Sequence, residues 1–79
     1  MGEDRIKPIS RNAFERFLKE VGCVHKRTKG DHLVYTRSGL ARPLVLQAKR
    51  EILPFIIKSN LKTLGISIEE YLQIIKGLK

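Results

Sequence analysis

At 79 residues the chain has the length of one domain, near the size where a single hydrophobic core is only just sufficient. Its 42% hydrophobic content can build that core, while a single cysteine excludes an internal disulfide and a four-thiolate zinc site. The net charge is +8, and its placement matters: residues 23–50 carry Lys26, Arg27, Lys29, Arg37, Arg42, Lys49 and Arg50 against Asp31 alone, a net of +6.

The opening MGEDRIKPIS lacks the apolar core of a secretion signal, and no apolar run reaches the roughly 20 residues that span a bilayer. With one thiol suited to a reducing compartment, the expectation is a soluble, cytoplasmic protein with no membrane contact. One domain is expected over residues 1–79, with its core at about 9–75 and residues 1–8 flexible.

ISRNAFERFLKEVG predicts an amphipathic helix. Ala13, Phe14, Phe17, Leu18 and Val21 recur at three- and four-residue spacing and so share a face. Ser10 suits the N-cap and Gly22 the C-terminal stop. The period then changes. CVHKRTKGDHLVYTRS is rich in residues that favour strands, and KGD marks a hairpin turn at Gly30. SGLARP makes a second turn, and PLVLQ reads as a third strand with Pro43 at its start.

Pro54 is suited to the first position of a helix and not to its interior, so a second helix is expected over PFIIKSNLKTLG. Its apolar face is assigned to Phe55, Ile56, Ile57, Leu61 and Leu64, with Gly65 as the stop. SIEE is a capping box that opens a third helix, burying some of Ile68, Tyr71, Leu72, Ile75 and Leu78. The order α-β-β-β-α-α predicts an α+β fold, a three-stranded antiparallel sheet with helices on one face and the other face open.

Several segments together resemble the HicA, or YcfA-like, family of small messenger-RNA-cleaving toxins. They are the capped first helix, RTKGDH, PLVLQAKREI, and the proline-started helix running through LKTLGIS into IEEYL. The resemblance covers roughly residues 9 to 75. It implies a double-stranded-RNA-binding-like fold, ribonuclease activity and a HicB-like antitoxin partner. The family signature is Arg, a short gap, then Gly-Ser-His; Arg27, Gly30 and His32 stand at matching places, so the resemblance makes His32 the catalytic residue. Asp31 replaces the usual serine. Gln47 or Ala48 stands near the place where the family often has a second histidine.

The chemistry available to His32 agrees. RNA can be cleaved without a metal when a base takes the 2′-OH proton and an acid protonates the leaving 5′-oxygen. Imidazole suits either role, since its unperturbed pKa lies near 6.5. Strand alternation places His32, Val34 and Thr36 on one face and Leu33 and Tyr35 on the other. Lys26, Arg27, Lys29, Gly30, Arg37, Lys49 and Arg50 are the expected RNA contacts, because concentrated positive charge favours polyanions. Water, a lysine or His25 could carry the second proton. No cofactor and no metal are expected, and Cys23 reads as a small buried hydrophobe. Two other readings stand beside the nuclease: a non-catalytic RNA-binding module, and a protein-interaction domain whose charge meets an acidic partner.

Overall fold

The computed structural model describes residues 6–78. Its elements run β1 (Ile9–Ser10), α1 (Arg11–Glu20), β2 (Val24–Lys29), β3 (His32–Thr36), β4 (Leu44–Gln47), β5 (Glu51–Ile52), α2 (Pro54–Leu64) and α3 (Ile68–Gly77). The architecture is α+β. Strands β2, β3 and β4 form an antiparallel sheet in that order, and β1 pairs with β5 in a separate two-stranded sheet.

The helix boundaries follow their local chemistry. The Ser10 hydroxyl accepts from the Ala13 N–H at 3.1 Å and caps α1. At the other end the Cys23 N–H donates to the Leu18 carbonyl and the Gly22 N–H to the Lys19 carbonyl. These paired bonds close the helix only if the residue between them turns left-handed, and Gly22 does so at φ 94°. Helix α2 ends in the same way, through Ile66 to Leu61 and Gly65 to Lys62. Pro54 opens α2, and Ser67 with Glu70 forms the expected capping box of α3.

The core lies between the helices and one face of the three-stranded sheet. Phe14 and Phe17 of α1 pack with Tyr71 of α3 at ring-centroid separations of 5.0 to 6.3 Å. Tyr35 and Leu44 oppose each other across β3 and β4, as do Leu33 and Leu46. Of these four, Tyr35, Leu44 and Leu46 are buried and Leu33 is partly buried. Tyr35 also donates its hydroxyl to the Glu15 carboxylate of α1, which tethers the sheet to the first helix. Burial holds the Tyr35 phenol protonated well above its usual range, and the Glu15 bond adds to this. Burial alone pushes Tyr71 up to about 12. Cys23 sits in the core as expected, its thiol raised by burial and opposed in part by the nearby Arg37 charge.

Three features depart from the sequence expectation. Ile6 is buried and joins the core, so packing begins before residue 9; residues 1–5 lie outside the described residues. The β1–β5 pair was not foreseen. Phe55, assigned to the apolar face of α2, is instead 65% exposed. The reason is angular: at ~100° per residue it points about 200° away from Ile57, so Phe55 and Ile57 cannot both face the core. Ile57, Leu61 and Leu64 do, with Asn60 buried beside them and its amide satisfied by the Ile56 carbonyl at 2.8 Å.

Candidate functional site

The sheet has a second face, opposite the helices. Antiparallel register puts directly opposed residues on the same side, with their Cβ atoms about 5 Å apart. One row across the three strands is therefore Lys29, His32 and Gln47, and the next is Arg27, Val34 and Val45. Val24 and Thr36 pair at the far end. The expected alternation holds, and the His32 side chain stands half exposed on the open face.

A β-bulge brings the basic residues to this face. Val24 and His25 pair with Thr36 and Tyr35, but the register shifts at Lys26, so that Arg27 pairs with Val34 and Lys29 with His32. Without the extra residue, His25, Arg27 and Lys29 would share one face, because side chains alternate with a period of two. With it, Arg27 and Lys29 join His32, while His25 goes to the Tyr35 side. The His25 ring lies 5.4 Å from that of Tyr35, and its Nε2 is 2.9 Å from the Thr28 hydroxyl. The sheet thus separates His25 from His32.

The hairpin turn completes the arrangement. Gly30 has φ 62° and Asp31 a negative φ, the signs of a type II′ turn with glycine first. This two-residue turn sets the Asp31 carboxylate beside the imidazole, with Oδ1 3.1 Å from Nδ1 of His32. A carboxylate at this distance accepts a hydrogen bond from Nδ1–H, and in that tautomer of the neutral ring the free lone pair is on Nε2. The Asp31 carbonyl also accepts the Ala48 N–H at 2.7 Å, which holds the end of β4 against the turn.

Beyond β4 the chain bends sharply, with the Lys49 N–H on the Gln47 carbonyl at 2.8 Å. The bend brings Lys49 to a groove of about 440 Å³ whose polar lining residues are His32, Gln47, Lys49 and Glu51. Gln47, directly opposite His32, is an amide; it can donate to or accept from a phosphate oxygen but cannot shuttle a proton at neutral pH.

The remaining expected contacts are dispersed. Lys26 is exposed at the bulge on the edge strand β2. Arg50 lines a different cleft with Ser10, Arg11 and Asn12 at the start of α1. Arg37 turns inward: its guanidinium donates to the Val21 carbonyl at 3.0 Å and the Leu64 carbonyl at 3.5 Å, bracing the C-terminal ends of α1 and α2. A cation there opposes both helix dipoles, so the geometry assigns Arg37 a structural role. Sequence reasoning overlooked Glu51 and Phe55 at the groove, and the bulge that orients β2. No Gly or Pro marks the bulge, and the strand register alone reveals it.

No protein-family model matches the chain, and no curated protein or solved structure matches it either. Among the described residues, no helix is long and apolar enough to cross a membrane.

Proposed function

We propose that the open face of the sheet binds RNA and that His32 cleaves it, making the protein a metal-independent endoribonuclease of the messenger-RNA-interferase type. The observation that carries this reading is the Lys29–His32–Gln47 row, with the Asp31 carboxylate at Nδ1 of the central imidazole. Arg27 extends the cationic surface on one side of the row and Lys49 on the other.

In this reading Nε2 of His32 takes the proton of a ribose 2′-OH. The O2′–P bond forms and the P–O5′ bond breaks, leaving a 2′,3′-cyclic phosphate and a 5′-hydroxyl. Lys29 and Arg27 stabilise charge on the phosphate oxygens, and Gln47 orients one of them. Water or a lysine returns the proton to the leaving oxygen. Asp31 and Glu51 repel phosphate, but the Asp31 side chain is 76% exposed and screened by solvent, and the three cations Arg27, Lys29 and Lys49 outnumber the two carboxylates.

The resemblance to HicA toxins supports the same reading and adds three elements to it. They are a double-stranded-RNA-binding-like core extended by the β1–β5 pair, a cytoplasmic setting, and a HicB-like antitoxin that covers the active face. A second reading, an RNA-binding module without catalysis, is favoured by one observation: the residue paired with His32 is Gln47, which carries no proton.

Incubating end-labelled RNA with the purified protein in EDTA separates the two. The nuclease reading expects cleavage, with products ending in a cyclic phosphate, and none where the ribose at the cut site is replaced by 2′-deoxyribose. Retarded but intact RNA selects the binding module.

A further inference from the structure

The chain has five aromatic residues, and four of them, Phe14, Phe17, Tyr35 and Tyr71, are at most 3% exposed. The fifth, Phe55, is 65% exposed, on the outward side of the first turn of α2. Its neighbours in the groove beside His32 include Leu53 and Val45, themselves 48% and 49% exposed. A domain this small gains stability by burying large apolar side chains, so leaving three in solvent around one groove costs it core.

The groove is lined by both polar and apolar side chains. Its polar lining is His32, Gln47, Lys49 and Glu51, in which the Lys49 and Glu51 charges offset, and its exposed apolar lining is Phe55, Leu53 and Val45; the uncompensated cation nearest the imidazole is Lys29, paired with His32 across the strands. Its volume of about 440 Å³ falls within the roughly 300–1,000 Å³ typical of small-ligand clefts. An anionic phosphate joined to a planar, apolar-faced ring suits the Lys29–His32 row and the apolar lining beside it together, and an unpaired nucleotide has that form. A second copy of this chain does not. A two-fold contact through this groove would bring together two chains that each carry a net charge of +8, whereas a polyanion gains from that charge.

We infer that Phe55 is the stacking platform for an unpaired nucleobase next to the phosphate held at His32, with Leu53 and Val45 completing the apolar lining. This inference rests on the RNA reading of the same face and refines it. A stacked base must leave its helix, so the bound segment is single-stranded at this position. Base–aromatic stacking is sequence-tolerant, so the subsite sets where the strand lies and not by itself which sequence is cut.

The chain contains no tryptophan, so Phe55→Trp introduces a unique fluorophore at the subsite. The test titrates Phe55→Trp, Phe55→Ala and the chain that keeps Phe55 with a labelled single-stranded RNA oligonucleotide, with the same RNA as a duplex, and with an abasic oligonucleotide of equal charge. His32→Ala is built into each chain to prevent cleavage. The expected results are unchanged affinity for Phe55→Trp, quenching of its emission by the single strand but not by the abasic strand, and a loss of about tenfold in affinity for Phe55→Ala. Phe55 is exposed, so these variants keep the fold.

Unchanged affinity in Phe55→Ala with no quenching in Phe55→Trp overturns the subsite, and leaves the nuclease reading standing if the chain with His32 still cuts RNA. Equal quenching by the abasic strand also overturns it. Dimerisation that Phe55→Ala abolishes, with RNA affinity unchanged, overturns it in favour of a protein-covered groove. Quenching and tighter single-strand binding without cleavage by the His32-containing chain support the subsite and remove the nuclease.

Discussion

The two faces of the three-stranded sheet are built from the same strands and differ in almost every physical respect. The inner face carries Leu33, Tyr35, Leu44 and Leu46 against the helices. The outer face carries Arg27, Lys29, His32 and Gln47, with Val45 standing exposed among them. Alternation along β3 and β4 generates this division, but β2 needs a bulge to join it. Every residue of β2 is exposed, so no burial holds its side chains to either face. The bulge at Lys26 decides which cations reach the outer face. One face therefore answers to packing, the other to charge and to the reach of one imidazole.

Substitutions on the two faces should separate stability from activity. The largest effect on stability is expected in the core beneath the inner face. Phe17→Ala should cost about 3–5 kcal/mol, since the ring is fully buried and its neighbours Phe14 and Tyr71 cannot close the gap. A chain of this size has roughly 4–12 kcal/mol in total, so urea denaturation should show a variant near or past its unfolding threshold. Val45→Ala on the outer face should change stability by no more than about 0.5 kcal/mol. Equal losses would erase the distinction between the faces.

Next in size is an alkaline transition that belongs to the buried side alone. Tyr71 and Tyr35 both titrate higher in the folded chain than their unfolded value of 10.0, so the fold prefers the neutral phenol. The stability this provides is complete below pH 10 and is lost as pH rises toward the folded value, about 12 for Tyr71. Two pH units at one site correspond to roughly 2–3 kcal/mol. Denaturation midpoints should fall between pH 10 and 12, and Tyr71→Phe should reduce the slope.

Arg37 contrasts with the cations of the outer face, because its guanidinium is engaged by the Val21 and Leu64 carbonyls. Removing a guanidinium that holds the Val21 and Leu64 carbonyls should cost about 1–2 kcal/mol in stability. The salt dependence of RNA binding should stay unchanged. The opposite pattern is expected for Arg27→Ala with Lys29→Ala: stability nearly constant and affinity about tenfold lower. The plot of log K against log salt should flatten by about 0.7 per lost single-strand contact. Lys58→Ala with Lys62→Ala, on α2, should leave that slope alone. A slope that responds to Arg37 and not to Arg27 and Lys29 would place the RNA elsewhere.

Much of the fold was legible because its boundaries are set locally. Ser10, Gly22, Gly30, Pro54, Gly65 and Ser67 each mark a cap or turn whose chemistry requires that residue type. The face of His32 was also legible, because a strand's period of two needs no tertiary information. What escaped depends on partners distant in sequence. Two-residue strands such as β1 and β5 have no period to detect. The bulge depends on how β2 aligns with β3. Arg37 could be told from the other cations only once two helix ends were seen to converge on it. Phe55, Ile56 and Ile57 are consecutive and apolar, but the helical angle forbids them from sharing one face.

The central claim is that the proton-moving imidazole is the one on the open face. The most direct measurement is RNA cleavage by His32→Ala and His25→Ala, purified and assayed side by side, with circular dichroism and melting temperature confirming both folds. The two histidines lie on opposite faces of the sheet, so the pair controls for the mere loss of an imidazole. The account predicts that His32→Ala loses cleavage by about 10²–10⁴-fold while His25→Ala retains it. Cleavage undiminished in a folded His32→Ala, or lost only in His25→Ala, would contradict it.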